Sequence, residues 1–141
     1  MTDTKLKYFI TISGRPKPKS ITYSKKRTYN NPGVRSWMEE VTLKSRKEIN
    51  SKGLTANKGI PVQVNILIHM PLPKRTSKKA ISKQVGQPHV KIPDTDNLIK
   101  PIKDALTEAG MWYDDNQVWK IQASKILAEP EEGRVEIAVL W

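Results

Sequence analysis

The strongest constraint on the fold is an alternation of apolar and polar residues that recurs in separate short stretches. Residues 60–70 place an apolar side chain at every second position, and residues 5–13 alternate in the same way. Period-two alternation is typical of a β-strand with one buried face. Residues 117–128 and 134–141 are two further predicted strands, and the link at 129–133 has the composition of a hairpin turn.

Two other stretches have the three-and-four spacing of a helix that buries one side. The first covers residues 34–52 and stops at Gly53, and the second covers residues 97–109 with Asp96 as a possible N-cap and Gly110 as the stop. The predicted order is β-α-β-α-β-β. It indicates an α/β chain of the α+β type, with a small mixed sheet of about four strands covered by two main helices.

Length and composition exclude several classes of protein. The chain has 141 residues, which suits one domain over residues 1–141, and it has no cysteine, which excludes disulfide scaffolds, thiolate zinc sites and cysteine nucleophiles. His69 and His89 cannot alone supply the three protein ligands of a catalytic zinc. We see no signal peptide or membrane span, and expect a soluble cytoplasmic, nucleoid-associated protein without a membrane partner.

The net charge of +11 is distributed very unevenly. Residues 1–91 hold 20 basic and 4 acidic side chains, whereas residues 92–141 hold 5 basic and 10 acidic ones. Two acid-free basic loops are predicted at about 15–35 and 71–92. They are either solvated loops or a surface that binds nucleic-acid phosphates. The candidate DNA-binding residues in them are Arg15, Lys17, Lys19, Lys25, Lys26, Arg27, Lys74, Arg75, Lys78 and Lys79.

Four aspartates flank the second predicted helix. Asp94 and Asp96 precede it, two residues apart, and Asp114 and Asp115 follow it. Side chains two apart in an extended segment point to the same side. Two carboxylates at about 4 Å repel by roughly 4 kcal/mol at an effective dielectric near 20, so a bound cation, protonation or a basic neighbour must relieve the repulsion. An all-oxygen ligand set favours Mg²⁺, with Mn²⁺ as a possible substitute.

The same aspartates have a simpler interpretation as helix caps and turn residues. The second pair reaches the first only if the chain folds back along the helix. Lys100 lies four residues beyond Asp96 on the same side of the helix, so it could pair with Asp96 or contact a phosphate.

The aspartates belong to a longer pattern that resembles the RusA family of Holliday-junction resolvases. It comprises the segments Asp94-Thr95-Asp96-Asn97-Leu98-Ile99-Lys100, Asp104-Ala105-Leu106-Thr107-Glu108-Ala109-Gly110 and Trp112-Tyr113-Asp114-Asp115-Asn116-Gln117-Val118. The resemblance implies catalytic, metal-binding acids at Asp94, Asp96 and Asp115 and a catalytic lysine at Lys100. The stretch 71–92 departs from the family pattern because it is long here.

The resemblance implies a homodimeric, Mg²⁺-dependent endonuclease that cuts four-way DNA junctions by paired symmetric nicks, in DNA recombination and repair. A junction has two-fold symmetry, so its resolution needs two active sites. Two alternatives stay open at this point. One is a non-catalytic basic protein that binds nucleic acid, and the other is a nuclease that acts on other branched DNA.

Overall fold

The computed structural model describes residues 4–18, 21–23, 28–30 and 32–141. Its elements in chain order are β1 (Leu6–Ser13), β2 (Ile21–Tyr23), β3 (Thr28–Asn30), α1 (Pro32–Lys52), β4 (Val62–Pro71), α2 (Lys78–Gln84), α3 (Thr95–Ala109), a 3₁₀ turn (Asp115–Gln117), β5 (Val118–Ala128) and β6 (Arg134–Leu140). β1, β6, β4 and β5 form a mixed sheet in that order, and β2 pairs with β3 separately. The predicted fold class is confirmed.

The core lies between this sheet and the helices α1 and α3. The alternating residues of β4 are buried on one face, and Trp37 and Val41 of α1 and Leu98 and Leu106 of α3 pack in the same cluster. His69 lies on the opposite face and pairs with Glu136 of β6, as its position in the alternation predicts. No helix in the described part of the chain is long and apolar enough to cross a membrane.

The predicted hairpin between the last two strands is wrong in one respect. β5 and β6 run in opposite directions, but β6 lies between β1 and β4, so β5 and β6 are not neighbours. The link therefore crosses the end of β4. At Gly133 an added Cβ would lie 3.0 Å from a ring atom of Pro71 and 3.2 Å from the Cα of Arg15, so a larger residue would press tightly on both neighbours. The composition of a turn predicts that the chain reverses direction there, but it does not predict which strand β6 pairs with.

Both stretches predicted as basic loops contain regular structure. The first includes β2, β3 and the start of α1, and the second includes α2. Ser77 caps α2 by accepting a hydrogen bond from the backbone N–H of Ala80 at 3.2 Å. α2 buries none of its residues, so it has no apolar stripe from which periodicity could have predicted it.

A parallel βαβ unit positions the acidic residues. β4 and β5 pair in parallel, and α3 runs back between them. Chain reversal at both ends of α3 places its first turn near the end of β5 and its last turn near the start of β5. The two aspartate pairs flank this helix, so the unit decides whether they meet.

Candidate active site

Asp94 and Asp96 lie together at the exposed start of α3. The helix begins at Thr95, with Asp94 as its N-cap and Asp96 in its first turn. The prediction that Asp96 caps the helix is therefore wrong, because the extended backbone of Asp94 continues directly into the helix two residues earlier than expected. The Asp94 side chain makes no capping hydrogen bond. Asp94 is exposed, so its carboxylate oxygens are accessible to a cation.

Local electrostatics stabilise two carboxylates at this position. The partial positive charge at a helix N-terminus favours anions in the first turn. α3 also contains Pro101, which is buried inside the helix. A proline there removes one intrahelical hydrogen bond, and the packing of Leu98, Ile102 and Leu106 into the core keeps the helix intact.

Lys100 lies one turn beyond Asp96, and its ammonium pairs with Asp104 at 3.2 Å. Lys100 was predicted to pair with Asp96 or to contact a phosphate. The structure shows the pair with Asp104 instead of the pair with Asp96. Asp104 directs the lysine along the exposed side of α3, where half of its side chain is accessible. An exposed cation next to two carboxylates is suited to a phosphate that approaches them.

Asp114 and Asp115 belong to a tightly bonded turn after α3. The Asp114 carboxylate accepts a hydrogen bond from the backbone N–H of Asn116 at 3.1 Å and caps the 3₁₀ turn. The buried Gln117 accepts from the backbone N–H groups of Tyr113 and Asp114, both at 2.9 Å. Its amide donates to the carbonyls of Asn57 and Ile60, at 2.7 and 3.1 Å. Gln117 thus fixes this turn at the start of β4, a role that the motif alone did not reveal.

This turn lies at the far end of α3 from Asp94. α3 has 15 residues and is about 22 Å long. β5 then runs back about 23 Å from Val118 to Lys125, where the Lys125 ammonium donates to the carbonyl of Pro93 at 2.7 Å. The chain does fold back along the helix, but it brings Lys125 and not Asp115 to the first pair.

Consequently, Asp115 does not join Asp94 and Asp96 within one chain. Among the described residues, no group of three or more His, Cys, Asp or Glu side chains lies close enough to hold a metal ion. Asp94 and Asp96 fit a hard cation by their exposure and their oxygen donors, but they supply only two ligating side chains. The assignment of Asp94, Asp96, Asp115 and Lys100 as site residues stays a prediction.

Those predicted DNA-binding residues that the structure describes lie at the Asp94 end of the sheet. Arg15 follows β1, and the stretch with Lys74 and Arg75 follows β4 at the same end. Arg15, Lys17, Arg75, Lys78 and Lys79 are exposed, and Lys74 pairs with Glu131 at 3.1 Å. Lys19, Lys25, Lys26 and Arg27 lie outside the described residues.

The pKa of His89 shows that several of these cations lie close to the segment before Asp94. Burial lowers the pKa of His89, and the charges of Lys125, Arg15 and Lys91 lower it further. The Nδ1 atom of His89 is buried and has no hydrogen-bond partner among the described residues. Cations from the first basic loop, the second basic loop and β5 therefore converge a few residues before Asp94.

An exposed carboxylate pair at a helix start, next to a lysine and converging basic segments, combines the groups that metal-dependent cleavage of nucleic acid requires. Comparison with known proteins agrees. Residues 10–140 match the family model described as Endodeoxyribonuclease RusA, and the chain belongs to this family. The predicted enzyme class, a crossover junction endodeoxyribonuclease, is confirmed at the level of the family.

Two curated relatives are similar to this chain. A stretch of 84 residues is 36% identical to the uncharacterized protein YqaN of Bacillus subtilis and covers 56% of each chain. The match therefore spans only about half the length of that relative. A second alignment of 133 residues is 28% identical to the crossover junction endodeoxyribonuclease RusA of Shigella sonnei, covering 94% of this chain and 92% of the relative.

Proposed function

We propose that this chain is a Mg²⁺-dependent, structure-selective endonuclease that resolves four-way DNA junctions by paired symmetric nicks, in recombination and repair in the cytoplasm. The observation that carries the proposal is the exposed carboxylate of Asp94, which makes no capping hydrogen bond and lies beside Asp96, in a chain of the RusA family. A relative that aligns over nearly the whole chain is named as a crossover junction endodeoxyribonuclease.

In this proposal Asp94, Asp96 and Asp115 hold the metal. When bound, Mg²⁺ supplies an activated water and neutralises charge on the phosphate. Lys100 stabilises the negative charge that develops on the phosphate, because it projects from the turn next to Asp96. The Lys100–Asp104 pair restricts the lysine to this side of α3 before DNA arrives.

The separation of Asp115 from Asp94 requires a second protomer in the site. A copy related by a two-fold axis perpendicular to α3 places the Asp115 end of one chain against the Asp94 end of the other. In such an isologous dimer both of these end-to-end contacts form together, so the dimer has two composite sites. Each site then combines Asp94 and Asp96 of one protomer with Asp115 of its partner.

Exposed apolar side chains accompany both ends, as such an interface requires. Tyr113 and Trp119 are 67% and 65% exposed beside the Asp115 turn, and Val90 and Ile92 are 87% and 85% exposed just before Asp94. A shallow depression next to Asp114 is lined by Trp119 and other residues of that end. Apolar surface of this kind is typical of contact sites.

The DNA arms follow the basic segments that leave the Asp94 end of the sheet. Lys78 and Lys79 project from α2 into solvent, and Arg15 and Lys17 lie on the segment after β1. Their contacts to the phosphate backbone position the junction but do not select a base sequence.

The test is incubation with a synthetic four-way junction and with a linear duplex of the same sequence, each with Mg²⁺ and with EDTA. We expect paired nicks only in the junction with Mg²⁺, and loss of nicking with retained junction binding in Asp96→Asn. Junction binding without cleavage by the unaltered protein would support a non-catalytic binder. Equal cleavage of flaps would support a nuclease for branched DNA in general.

A further inference from the structure

Lys125 is a half-buried lysine on the helix-facing side of β5. It pairs in register with the fully buried Ile68 of β4, so its stem lies over the core. Its ammonium donates to the carbonyl oxygens of Lys91 and Pro93, at 2.8 and 2.7 Å. Both acceptors belong to the short segment Lys91-Ile92-Pro93 that leads into Asp94. A lysine at an otherwise apolar alternating position is the sequence signal for this contact.

Backbone hydrogen bonds attach the preceding segment to the edge of β5 but stop before Asp94. Gly86 and Gln87 bond to Leu127, each at 2.9 Å, and the His89 N–H donates to the carbonyl of Lys125 at 3.0 Å. Beyond His89, the segment is bonded to β5 through the Lys125 side chain. Lys125 is thus bonded to the segment through its own carbonyl at His89 and through its ammonium at Pro93.

We propose that Lys125 is a positioning residue that fixes the Asp94 carboxylate through the carbonyl of Pro93. This inference rests on the proposed function, in which Asp94 is a metal ligand. The backbone of Asp94 is held by helix α3 on one side and by the anchored Pro93 on the other, so the position from which its carboxylate projects is restrained from both directions. Groups that orient a ligand change metal affinity or activity by about 10- to 100-fold when they are removed.

The alternative is that Lys125 contacts DNA directly. Two of its three N–H groups already donate to carbonyls, and the side chain is less exposed than that of Lys100. A phosphate contact predicts weaker junction binding when the lysine is lost. A positioning role predicts unchanged binding and impaired catalysis.

The experiment compares Lys125→Met, Lys125→Arg and the control Lys52→Met. Lys52 also donates to a backbone carbonyl, that of Lys7 at 2.9 Å, but it lies on α1. For Lys125→Met we expect junction affinity within about twofold, and a rise of about tenfold or more in the Mg²⁺ concentration for half-maximal cleavage. Lys125→Arg should restore most of the activity, since a guanidinium can donate to both carbonyls.

Hydrogen exchange on the metal-free protein separates this inference from the proposed function. Lys125→Met should accelerate exchange in residues 91–97, and Lys52→Met should not. This readout stands even if the unaltered protein cleaves no junction, which would overturn the function alone. Three results would overturn the positioning role: exchange that equals the control, a tenfold loss of junction affinity at an unchanged cleavage rate, or no rescue by arginine.

Discussion

Asp94 and Asp115 lie at opposite ends of α3, although both belong to one sequence pattern and to one predicted metal site. The helix separates them by about 22 Å, and the hydrogen bonds of Gln117 hold the Asp115 turn against the start of β4. A small side-chain movement cannot close this separation. In the proposed function the site is therefore completed between protomers, and dimerisation is a condition for metal binding.

Loss of the Lys100 ammonium should impair catalysis without impairing DNA binding. We expect Lys100→Met to reduce the maximal cleavage rate by at least tenfold, because a single charge-stabilising donor is worth about 10²–10³ in rate in other enzymes. Single-turnover cleavage at saturating enzyme measures the effect. Lys103→Met, on the same helix, is the matched control and should retain the rate. A reduced junction affinity at full rate would assign Lys100 to DNA binding instead.

His89 should titrate below its usual range in the folded protein. Burial disfavours the charged imidazole, and Lys125, Arg15 and Lys91 add repulsion. The unfolded chain binds the extra proton first as pH falls, so stability decreases below about pH 6.5 until the folded pKa is reached. An NMR titration of the His89 ring measures this pKa, and Lys125→Met should raise it. An unchanged pKa in that variant would show that the charge of the Lys125 ammonium does not act on the His89 ring.

The structure shows why part of the architecture was accessible from sequence and part was not. Strands and helices with a buried face followed from local periodicity, and the errors there are of one or two residues at their ends. The position of β6 between β1 and β4 depends on contacts far apart in sequence. So does the approach of Lys125 to Pro93, in which a side chain bonds a carbonyl 32 residues away. Spacing placed one aspartate pair before α3 and the other after it, but it could not tell whether the chain beyond α3 brings the second pair back to the first.

The lysines of α2 should contribute to junction affinity through phosphate contacts. Each of Lys78→Ala and Lys79→Ala should reduce the slope of log affinity against log salt concentration by about 0.9, with no change in the cleavage rate of bound junction. Binding titrations over a range of salt concentrations give the slope. Lys47→Ala, on the exposed side of α1, should leave the slope unaltered. If both variants have the same slope as the unaltered protein, α2 does not contact the DNA phosphates.

The most direct test of the composite site is complementation between two inactive variants. Asp96→Asn and Asp115→Asn each inactivate both sites of a homodimer. A mixed dimer carries both substitutions in one site and neither in the other. Mixing and re-equilibrating the two proteins should therefore restore Mg²⁺-dependent nicking of the four-way junction, in one strand per dimer. A mixture of Asp94→Asn and Asp96→Asn should stay inactive, since these residues come from the same protomer. If the first mixture is as inactive as its components while mixed dimers are shown to form, the two-protomer site is contradicted.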